Sequence, residues 1–269
     1  FKFAQMKKYA VIGNPIDHSL SPILHNHWLK ENNINAIYDK IKLEENQIKD
    51  FINKIKKKEL AGCNVTVPFK KSVIPFLDKL SSEANQTQSV NTIILKDDLL
   101  VGHNTDIIGF QKAIQSLKYT VKDKKIFILG AGGVTPSIIF ALNKMGVSEI
   151  TISNRTKEKA EKLKEQFQNI SVTEWGKLPD FDVIINATSL GLNNETINLD
   201  FSNIKDDKLF YDVIYNPSET NFLKEGKKLG NKIDNGKLMF IYQAFEAFKL
   251  WHMIEPQINN ETLKLLKND

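Results

Sequence analysis

The stretch KIFILGAGGVT, residues 125–135, decides the fold class of this chain. Its first five residues form a short apolar run typical of a buried strand, and a glycine-rich turn follows that run directly. Residues 135–145 then continue as a predicted helix. A glycine turn between a strand and a helix lets backbone N–H groups approach a pyrophosphate at the helix N-terminus. The stretch therefore predicts a βα unit that binds a dinucleotide, although Thr135 occupies the position where this pattern has a third glycine or alanine.

Strands and helices continue to alternate after this unit. Strand-like runs occupy residues 149–153, 182–187 and 208–214, and a charged helix is expected over residues 157–167. Consecutive strands joined by helices pair in parallel within one sheet. The second half of the chain therefore predicts a Rossmann-type, doubly wound parallel sheet.

The first half shows the same alternation. Strands are expected at residues 8–13, 38–43 and 60–67, and helices from residue 21 to about 32 and over 44–57. Ser21-Pro22 is typical of a helix start, with serine as the N-cap and proline in the first turn. In the second of these helices, apolar residues at 48, 51, 52 and 55 form a helical stripe. The whole chain thus predicts an α/β fold of two domains.

The boundary between the domains is expected near residues 101–107. We assign residues 6–104 to an N-terminal α/β domain that binds the substrate and carries the catalytic residues. Residues 105–237 form the dinucleotide-binding domain. C-terminal helices, about residues 238–269, are expected to return to the first domain, because an apolar stripe at 240, 241, 244 and 248 needs another surface to bury it.

The end of the second strand in the dinucleotide-binding domain indicates which cofactor binds. NAD-binding domains place an acidic residue about 20 residues after the glycine turn, where it bonds the ribose 2′-hydroxyl. Here the strand ends in Asn154-Arg155-Thr156, without an acid. Arg155 is the only arginine among 37 basic residues, and its planar guanidinium suits a 2′-phosphate and an adenine ring. The sequence therefore favours NADPH over NADH.

Composition excludes several other classes of function. The net charge is +5, but the basic residues are spread along the chain without interleaved aromatic side chains, so no nucleic-acid partner is expected. No apolar run reaches the roughly 18 residues of a membrane span, and no signal peptide is apparent. Cys63 is the only cysteine, which excludes an intramolecular disulfide and fits a reducing cytoplasm. We expect a cytoplasmic enzyme, monomeric or homodimeric, that acts on a small molecule.

The histidines do not indicate a metal site. His25 and His27 are two residues apart on a predicted helix, so their side chains point in different directions. The sequence shows no other cluster of metal-ligating residues, and we predict no metal.

Polar clusters follow or precede the strands of the first domain. They occupy residues 19–21, 64–70, 89–92 and 102–110. Open α/β sheets bind ligands at the carboxyl ends of their strands, so these clusters are candidates for a substrate site. Each has a structural alternative, because Ser21 or Asp106 could only cap a helix and Asn91 could only form a turn.

Taken together, the motifs resemble those of the shikimate dehydrogenase family. Asn64-Val-Thr66-Val-Pro-Phe-Lys70 is similar to that family's N-V-T-x-P-x-K motif, and residues 102–110 to its G-x-N-T-D-x-x-G-F motif. Further matches are Ser19-Leu-Ser21-Pro, Asn154-Arg155-Thr156, residues 186–191, Tyr215-Asn-Pro and the segment from Asn235 to Ala244. The matches occur in family order from about residue 8 to residue 251.

The resemblance implies that Lys70 and Asp106 form the catalytic pair of an NADPH-dependent reduction of 3-dehydroshikimate to shikimate. It implies substrate contacts from Ser19, Ser21, Thr66, Asn91, Tyr215 and Gln243. It also implies NADPH contacts from Gly130, Ala131, Gly132, Gly133, Val134, Asn154, Arg155, Thr156, Lys159, Val213 and Gly236. A cationic acid near the ketone oxygen would stabilise the negative charge that develops there as hydride arrives.

Two alternatives stay open at this point. A quinate/shikimate dehydrogenase that uses NAD would place an acidic residue near positions 154–156, where this chain has Asn-Arg-Thr. A non-catalytic sensor of nucleotides or metabolites on the same fold would need neither Lys70 nor Asp106.

Overall fold

The computed structural model of the chain describes residues 5–266, so the last three residues of the predicted C-terminal segment lie outside the described residues. The described residues divide into two compact units, one of residues 5–109 and 241–266 and one of residues 110–240. The division falls inside two helices, α4 (Asp106–Ser116) and α8 (Lys237–His252).

Unit 1 contains a six-stranded sheet with the order β2-β1-β3-β5-β6-β4. Its strands are β1 (Lys7–Gly13), β2 (Ala36–Lys42), β3 (Gly62–Val65), β4 (Lys79–Leu80), β5 (Thr92–Lys96) and β6 (Leu99–His103). Its remaining helices are α1 (Ser21–Glu31), α2 (Ile48–Lys56), α3 (Ser82–Thr87) and α9 (Asn260–Leu265).

The unit 1 sheet is mixed. β1 pairs in parallel with β2 and β3, as the strand–helix–strand alternation predicts. β5 runs antiparallel to both β3 and β6, and it joins β6 through Asp97 and Asp98, which have φ values of 53° and 60°. Two consecutive residues with positive φ are typical of a tight hairpin turn.

Helix α2 buries one face on this sheet. Its stripe of Ile48, Phe51, Ile52 and Ile55 is buried, which confirms the helical pattern in the sequence. The stripe belongs to a core cluster with Cys63 of β3 and Ile93 of β5. Helix α8 packs on α1, since the rings of Phe248 and Trp28 lie 5.6 Å apart between centroids.

One prediction about α1 was wrong. Ser21 is the first residue of the helix rather than its N-cap, and the preceding Leu20 makes no side-chain capping bond. The backbone N–H of Ser21 instead donates to Oγ of Ser19 at 3.3 Å. Pro22 lies in the first turn, as predicted. Proline is tolerated there because the N–H groups of the first turn have no hydrogen-bond partner within the helix.

Unit 2 contains a parallel six-stranded sheet with the order β12-β11-β10-β7-β8-β9. Its strands are β7 (Lys125–Leu129), β8 (Glu149–Ser153), β9 (Ile170–Val172), β10 (Val183–Asn186), β11 (Leu209–Asp212) and β12 (Lys232–Asp234). Its other helices are α5 (Thr135–Lys144), α6 (Lys157–Gln166) and α7 (Asn221–Lys228). This is the doubly wound arrangement that the glycine turn predicted, with the strand order reversing between β7 and β10.

The register of this sheet aligns the ends of its central strands. Leu129 is paired with Ser153 on one side and with Asn186 on the other, and Asn186 is paired with Asp212. The loops that follow β7, β8, β10 and β11 therefore leave the sheet at the same edge, where doubly wound sheets bind their ligands.

Candidate active site

Lys70 and Asp106 form an ion pair in unit 1. Nζ of Lys70 lies 2.6 Å from Oδ2 of Asp106, and the two side chains are 12% and 9% exposed. Phe69 is buried beside Lys70, and its N–H donates to the carbonyl of Thr66 at 3.0 Å, which fixes the turn after β3. The carbonyl of Lys70 accepts from the N–H of Val90 at 2.8 Å, so the lysine backbone is also held.

Asn91 holds the other oxygen of this carboxylate. Its Nδ2 donates to Oδ1 of Asp106 at 3.2 Å and to Oγ1 of Thr105 at 2.8 Å. Its Oδ1 accepts from the backbone N–H of Thr105 at 2.7 Å. Asn91 therefore fixes the start of α4, and with it the orientation of Asp106. Its predicted contact with substrate stays a prediction.

Asn104 is a further residue of this site that the sequence analysis did not single out. Its Oδ1 accepts from the N–H groups of Asp106 and Ile107 at 3.0 and 3.2 Å, which is the bonding of a helix N-cap. Its Nδ2 donates to Oγ1 of Thr87 at 3.2 Å. The signal was present in the sequence, because an asparagine shortly before a predicted helix is a preferred residue for capping its first N–H groups.

A buried chain of polar side chains links Ser21, the first residue of α1, to Asn91. The hydroxyl of Tyr38 donates to Oδ1 of Asn64 at 2.6 Å, and Nδ2 of Asn64 donates to the carbonyl of Asn91 at 3.1 Å. Burial raises the pKa of Tyr38 well above its ordinary value, nearby Cys63 adds to the rise, and a hydrogen bond with Ser21 opposes it. Tyr38 therefore keeps its proton and remains a donor. No motif in the sequence indicated a role for Tyr38.

The other predicted substrate residues divide between the units. Thr66 follows β3, and a Cβ on Gly13 would lie 2.6 Å from its Cγ2, so glycine permits their close approach. Gln243 lies half-buried in the part of α8 that belongs to unit 1. Tyr215 belongs to unit 2, where its ring lies 4.9 Å from that of Phe240 and burial raises its pKa.

The glycine turn of unit 2 has the conformation that its sequence requires. Gly130 has a φ of 110°, and a Cβ there would lie 2.9 Å from the carbonyl of Ala187. The N–H of Ala131 donates to Oδ1 of Asn154 at 3.1 Å, which joins the turn to the end of β8. Gly132 has open space instead, since a Cβ there would meet no atom within 4 Å. Gly133 and Val134 complete the turn before α5.

Thr135, the departure from the glycine pattern, is accommodated by a hydrogen bond. Its side chain is fully buried, and Oγ1 donates to the carbonyl of Gly130 at 3.0 Å. The threonine therefore ties the first turn of α5 to the glycine turn.

Arg155 is exposed at the end of β8, and its Cζ lies 5.7 Å from the centroid of the Trp175 ring. Nδ2 of the preceding Asn154 donates to the carbonyl of Thr156 at 2.8 Å, which fixes the turn into α6. Lys159 is exposed in the first turn of that helix. Trp175 was not identified from the sequence, because it stands alone in an irregular segment.

Asp212 organises the loops after β10 and β11. Its carboxylate accepts from Nδ2 of Asn186 at 3.2 Å, from the N–H of Ile214 at 3.0 Å and from Oγ1 of Thr220 at 2.6 Å. Burial raises the pKa of Asp212 to about 6, although the bonds from Thr220, Ile214 and Asn186 oppose the rise. This loop contains Val213. A Cβ on Gly236 would overlap the carbonyl oxygen of Val213, so position 236 requires glycine.

One group of metal-ligating side chains comes together in unit 1. The ligand atoms of His27, Glu31 and Glu261 lie within 4.8 Å of one another. Nε2 of His27 is 3.1 Å from Oε1 of Glu31, one helical turn later in α1, and both carboxylates are on exposed residues. The cluster cannot be seen in the sequence, because Glu261 reaches α1 only through the packing of α9. Exposed acidic side chains commonly lie together without a metal. The prediction that the chain binds no metal stays a prediction.

Comparison with known proteins places the chain in a family. Residues 11–93 match the model of the shikimate dehydrogenase substrate binding domain, and residues 111–212 match that of shikimate / quinate 5-dehydrogenase. In the part of the chain that the structure describes, no helix combines the length and apolar character needed to cross a membrane.

Individual relatives agree over nearly the full length. The shikimate dehydrogenase (NADP(+)) of Pelagibacter ubique is 54% identical over 97% of this chain and 98% of its own length. That of Caldicellulosiruptor saccharolyticus is 41% identical over the same two shares. The crystal structure of shikimate dehydrogenase from Aquifex aeolicus superposes with a TM-score of 0.90 at 36% identity, covering 100% of both chains. The chain belongs to the shikimate dehydrogenase family.

Proposed function

We propose that this chain catalyses the reversible, NADPH-dependent reduction of 3-dehydroshikimate to shikimate, a step in the biosynthesis of chorismate and the aromatic amino acids. The observation that carries the proposal is the ion pair between Lys70 and Asp106, with 2.6 Å between Nζ and Oδ2. It lies in the unit whose sequence matches the substrate binding domain of the family.

The pair supplies the acid that the reaction needs. Reduction of a ketone develops negative charge on the carbonyl oxygen, and a nearby ammonium stabilises that charge and donates a proton to the oxygen. In our proposal, Nζ of Lys70 is this donor, and bound NADPH is the source of hydride. Asp106 positions Lys70 and accepts a hydrogen bond from a substrate hydroxyl. In the oxidation of shikimate the same amine receives the proton back.

Further polar side chains would bind the rest of the substrate. We assign the carboxylate to Ser19 and Ser21, and the ring hydroxyls and carboxylate to Thr66, Asn91, Tyr215 and Gln243. The bonding of Ser21 to Tyr38, and of Asn91 to Asp106, supports this assignment, because it holds two of these side chains before substrate binds.

The residues of unit 2 fit NADP(H). The glycine turn leaves open space above Gly132 at the start of α5, where a pyrophosphate can meet backbone N–H groups. Arg155 is exposed at the end of β8. Positions 154–156, where an NAD-binding domain has an acid that bonds the ribose 2′-hydroxyl, are Asn-Arg-Thr. We assign the cofactor to residues 130–134, Asn154, Arg155, Thr156, Lys159, Val213 and Gly236.

The compartment and the assembly state are part of the proposal. Cys63 is a free, buried thiol, and a chain with one cysteine and no disulfide suits the reducing cytoplasm. We propose a cytoplasmic monomer or homodimer, and analytical ultracentrifugation would distinguish these two states.

The test is a matrix of two substrates and two cofactors. Purified protein is mixed with shikimate or quinate and with NADP⁺ or NAD⁺, and the appearance of reduced nicotinamide is followed by absorbance. The proposal predicts rapid turnover with shikimate and NADP⁺. A preference for quinate or NAD⁺ would assign the chain to a quinate/shikimate dehydrogenase instead. Nucleotide binding without turnover of any pair would indicate the non-catalytic sensor.

A further inference from the structure

We propose that Trp175 is a specificity-determining residue for NADPH that acts through Arg155. The inference rests on the proposed function, since its ligand is the 2′-phosphoadenosine end of that cofactor. It concerns a side chain that lies outside every motif by which the sequence was interpreted.

The contact between the two side chains is a cation–π interaction. Cζ of Arg155 lies over the Trp175 ring, 5.7 Å from its centroid, within the range in which a guanidinium is attracted to an aromatic face. Arg155 is otherwise exposed at the end of β8. An exposed arginine loses considerable rotamer freedom when it binds a ligand. A ring beneath it already restricts the side chain, so the entropic cost of binding is lower.

Trp175 itself is held by the protein. It is the second residue of a turn in which the N–H of Lys177 donates to the carbonyl of Glu174 at 3.2 Å, and Gly176 supplies the φ of 95° that such a turn requires. The half-buried indole packs on the core cluster of unit 2 that contains Phe181. The ring is therefore positioned without any help from a ligand.

The carboxylate of Glu195, whose pKa the charge of Arg155 lowers, is already bonded within its own loop. Oε1 of Glu195 accepts from the N–H of Asn193 at 2.6 Å and from that of Gly191 at 3.4 Å. Backbone hydrogen bonds lower the pKa of Glu195, and the charge of Arg155 contributes least among the causes. Arg155 therefore affects Glu195 through its charge, and the N–H groups of its guanidinium remain suited to a phosphate.

A planar guanidinium can serve three partners at once. With Trp175 on one side, the guanidinium can still stack on adenine and bond a 2′-phosphate bidentately through its N–H edge. Only the last contact distinguishes NADPH from NADH. Because the contact with Trp175 restricts the positions that the guanidinium can take, it should strengthen the binding of 2′-phosphorylated ligands more than that of ligands without this phosphate.

The test compares two soluble fragments of the cofactors. Isothermal titration calorimetry on the full chain measures the affinities of adenosine 2′,5′-bisphosphate and adenosine 5′-monophosphate, and their ratio reports the discrimination. Trp175→Leu, which keeps apolar bulk without the ring, should lower this ratio by about two- to five-fold. Trp175→Phe, which keeps an aromatic ring, should retain most of the ratio measured for the wild type.

A double-mutant cycle separates the contact from general damage. In an Arg155→Ala background, Trp175→Leu should leave the ratio unchanged, because the partner of the ring is already missing. Circular dichroism and thermal melting check that each variant is folded. Equal ratios in the wild type and Trp175→Leu, with a loss of discrimination in Arg155→Ala, would overturn the role of Trp175 and leave the proposed function standing. A wild type without preference for the bisphosphate would contradict the NADPH assignment itself.

A second readout does not depend on Trp175→Leu being folded. Trp175 is the only tryptophan of unit 2, since Trp28 and Trp251 belong to unit 1. The tryptophan emission that is lost in Trp175→Phe should change when adenosine 2′,5′-bisphosphate is added to the wild type, and should not change in Arg155→Ala. An unchanged emission in the wild type at saturating ligand would overturn the proposal.

Discussion

Asp106 bonds Lys70 with one carboxylate oxygen and Asn91 with the other, so the lysine of the turn after β3 is held by the first residue of α4. Nζ of Lys70 and Oδ2 of Asp106 are 2.6 Å apart although the residues are separated by 36 positions in the sequence. The bond from Asn91 to Oδ1 is 3.2 Å long. The ammonium is therefore positioned by side chains of the protein before any ligand is present.

Asp106→Asn should lower kcat by about 100-fold, because the amide no longer holds Lys70 by charge and no longer accepts from a substrate hydroxyl as strongly. The affinity for NADPH should change little. Initial rates with shikimate and NADP⁺, together with calorimetric titration of NADPH, measure both effects. A variant with wild-type kcat would show that the carboxylate does not act in the reaction.

Gly132→Ala should leave the thermal midpoint unchanged and weaken NADPH binding by about ten-fold or more, because its methyl group would occupy the approach of the pyrophosphate. The structure leaves open space at this Cβ. Gly130→Ala is the comparison, since its φ of 110° and the nearby Ala187 carbonyl should make that variant less stable. Thermal melts and NADPH titrations of both variants distinguish the two roles. Undiminished NADPH affinity in Gly132→Ala would place the pyrophosphate elsewhere.

Asp212 should make the stability of the protein depend on pH. Burial raises its pKa to about 6 from an ordinary 3.8, so the folded state holds the proton more tightly than the unfolded chain does. Ionisation of Asp212 therefore opposes folding. This cost is absent below the unfolded pKa, grows as the pH rises towards 6, and is constant above that value.

Asp212→Asn removes this titration. The free energy of unfolding of the wild type minus that of the variant should fall by as much as about 3 kcal/mol between about pH 4 and about pH 7. Urea unfolding of both proteins over this pH range gives the difference directly, and titrations common to both cancel. A difference that does not vary with pH would mean that Asp212 has the same pKa in both states.

The sequence predicted the parts of the fold that carry long or sharply bounded patterns. The glycine turn after residue 129 identified the parallel sheet, and the stripe of α2 identified the buried face of that helix. The β5–β6 hairpin was not foreseen, because its turn is Asp97-Asp98 rather than a pair containing glycine. The edge strands β9 and β12 have three residues each, too few to show a period.

The candidate site was predicted as far as its motifs extend. Lys70 and Asp106 were identified together, and the structure brings them into contact. Tyr38 and Trp175 were missed because their roles depend on which side chains the fold places beside them, such as Asn64 and Arg155. Asp212 was predicted only as part of a strand. Its burial and its hydrogen-bond donors come from residues that the fold places beside it.

The most direct test of the role of Lys70 compares Lys70→Ala with the wild type in the oxidation of shikimate by NADP⁺. Lys71→Ala serves as the matched control, because Lys71 is the adjacent lysine and is exposed. We expect a fall in kcat of about 100- to 10,000-fold for Lys70→Ala, with unchanged NADPH affinity and near-normal turnover of Lys71→Ala. Turnover of Lys70→Ala close to that of the wild type would contradict the assignment of Lys70 as the acid.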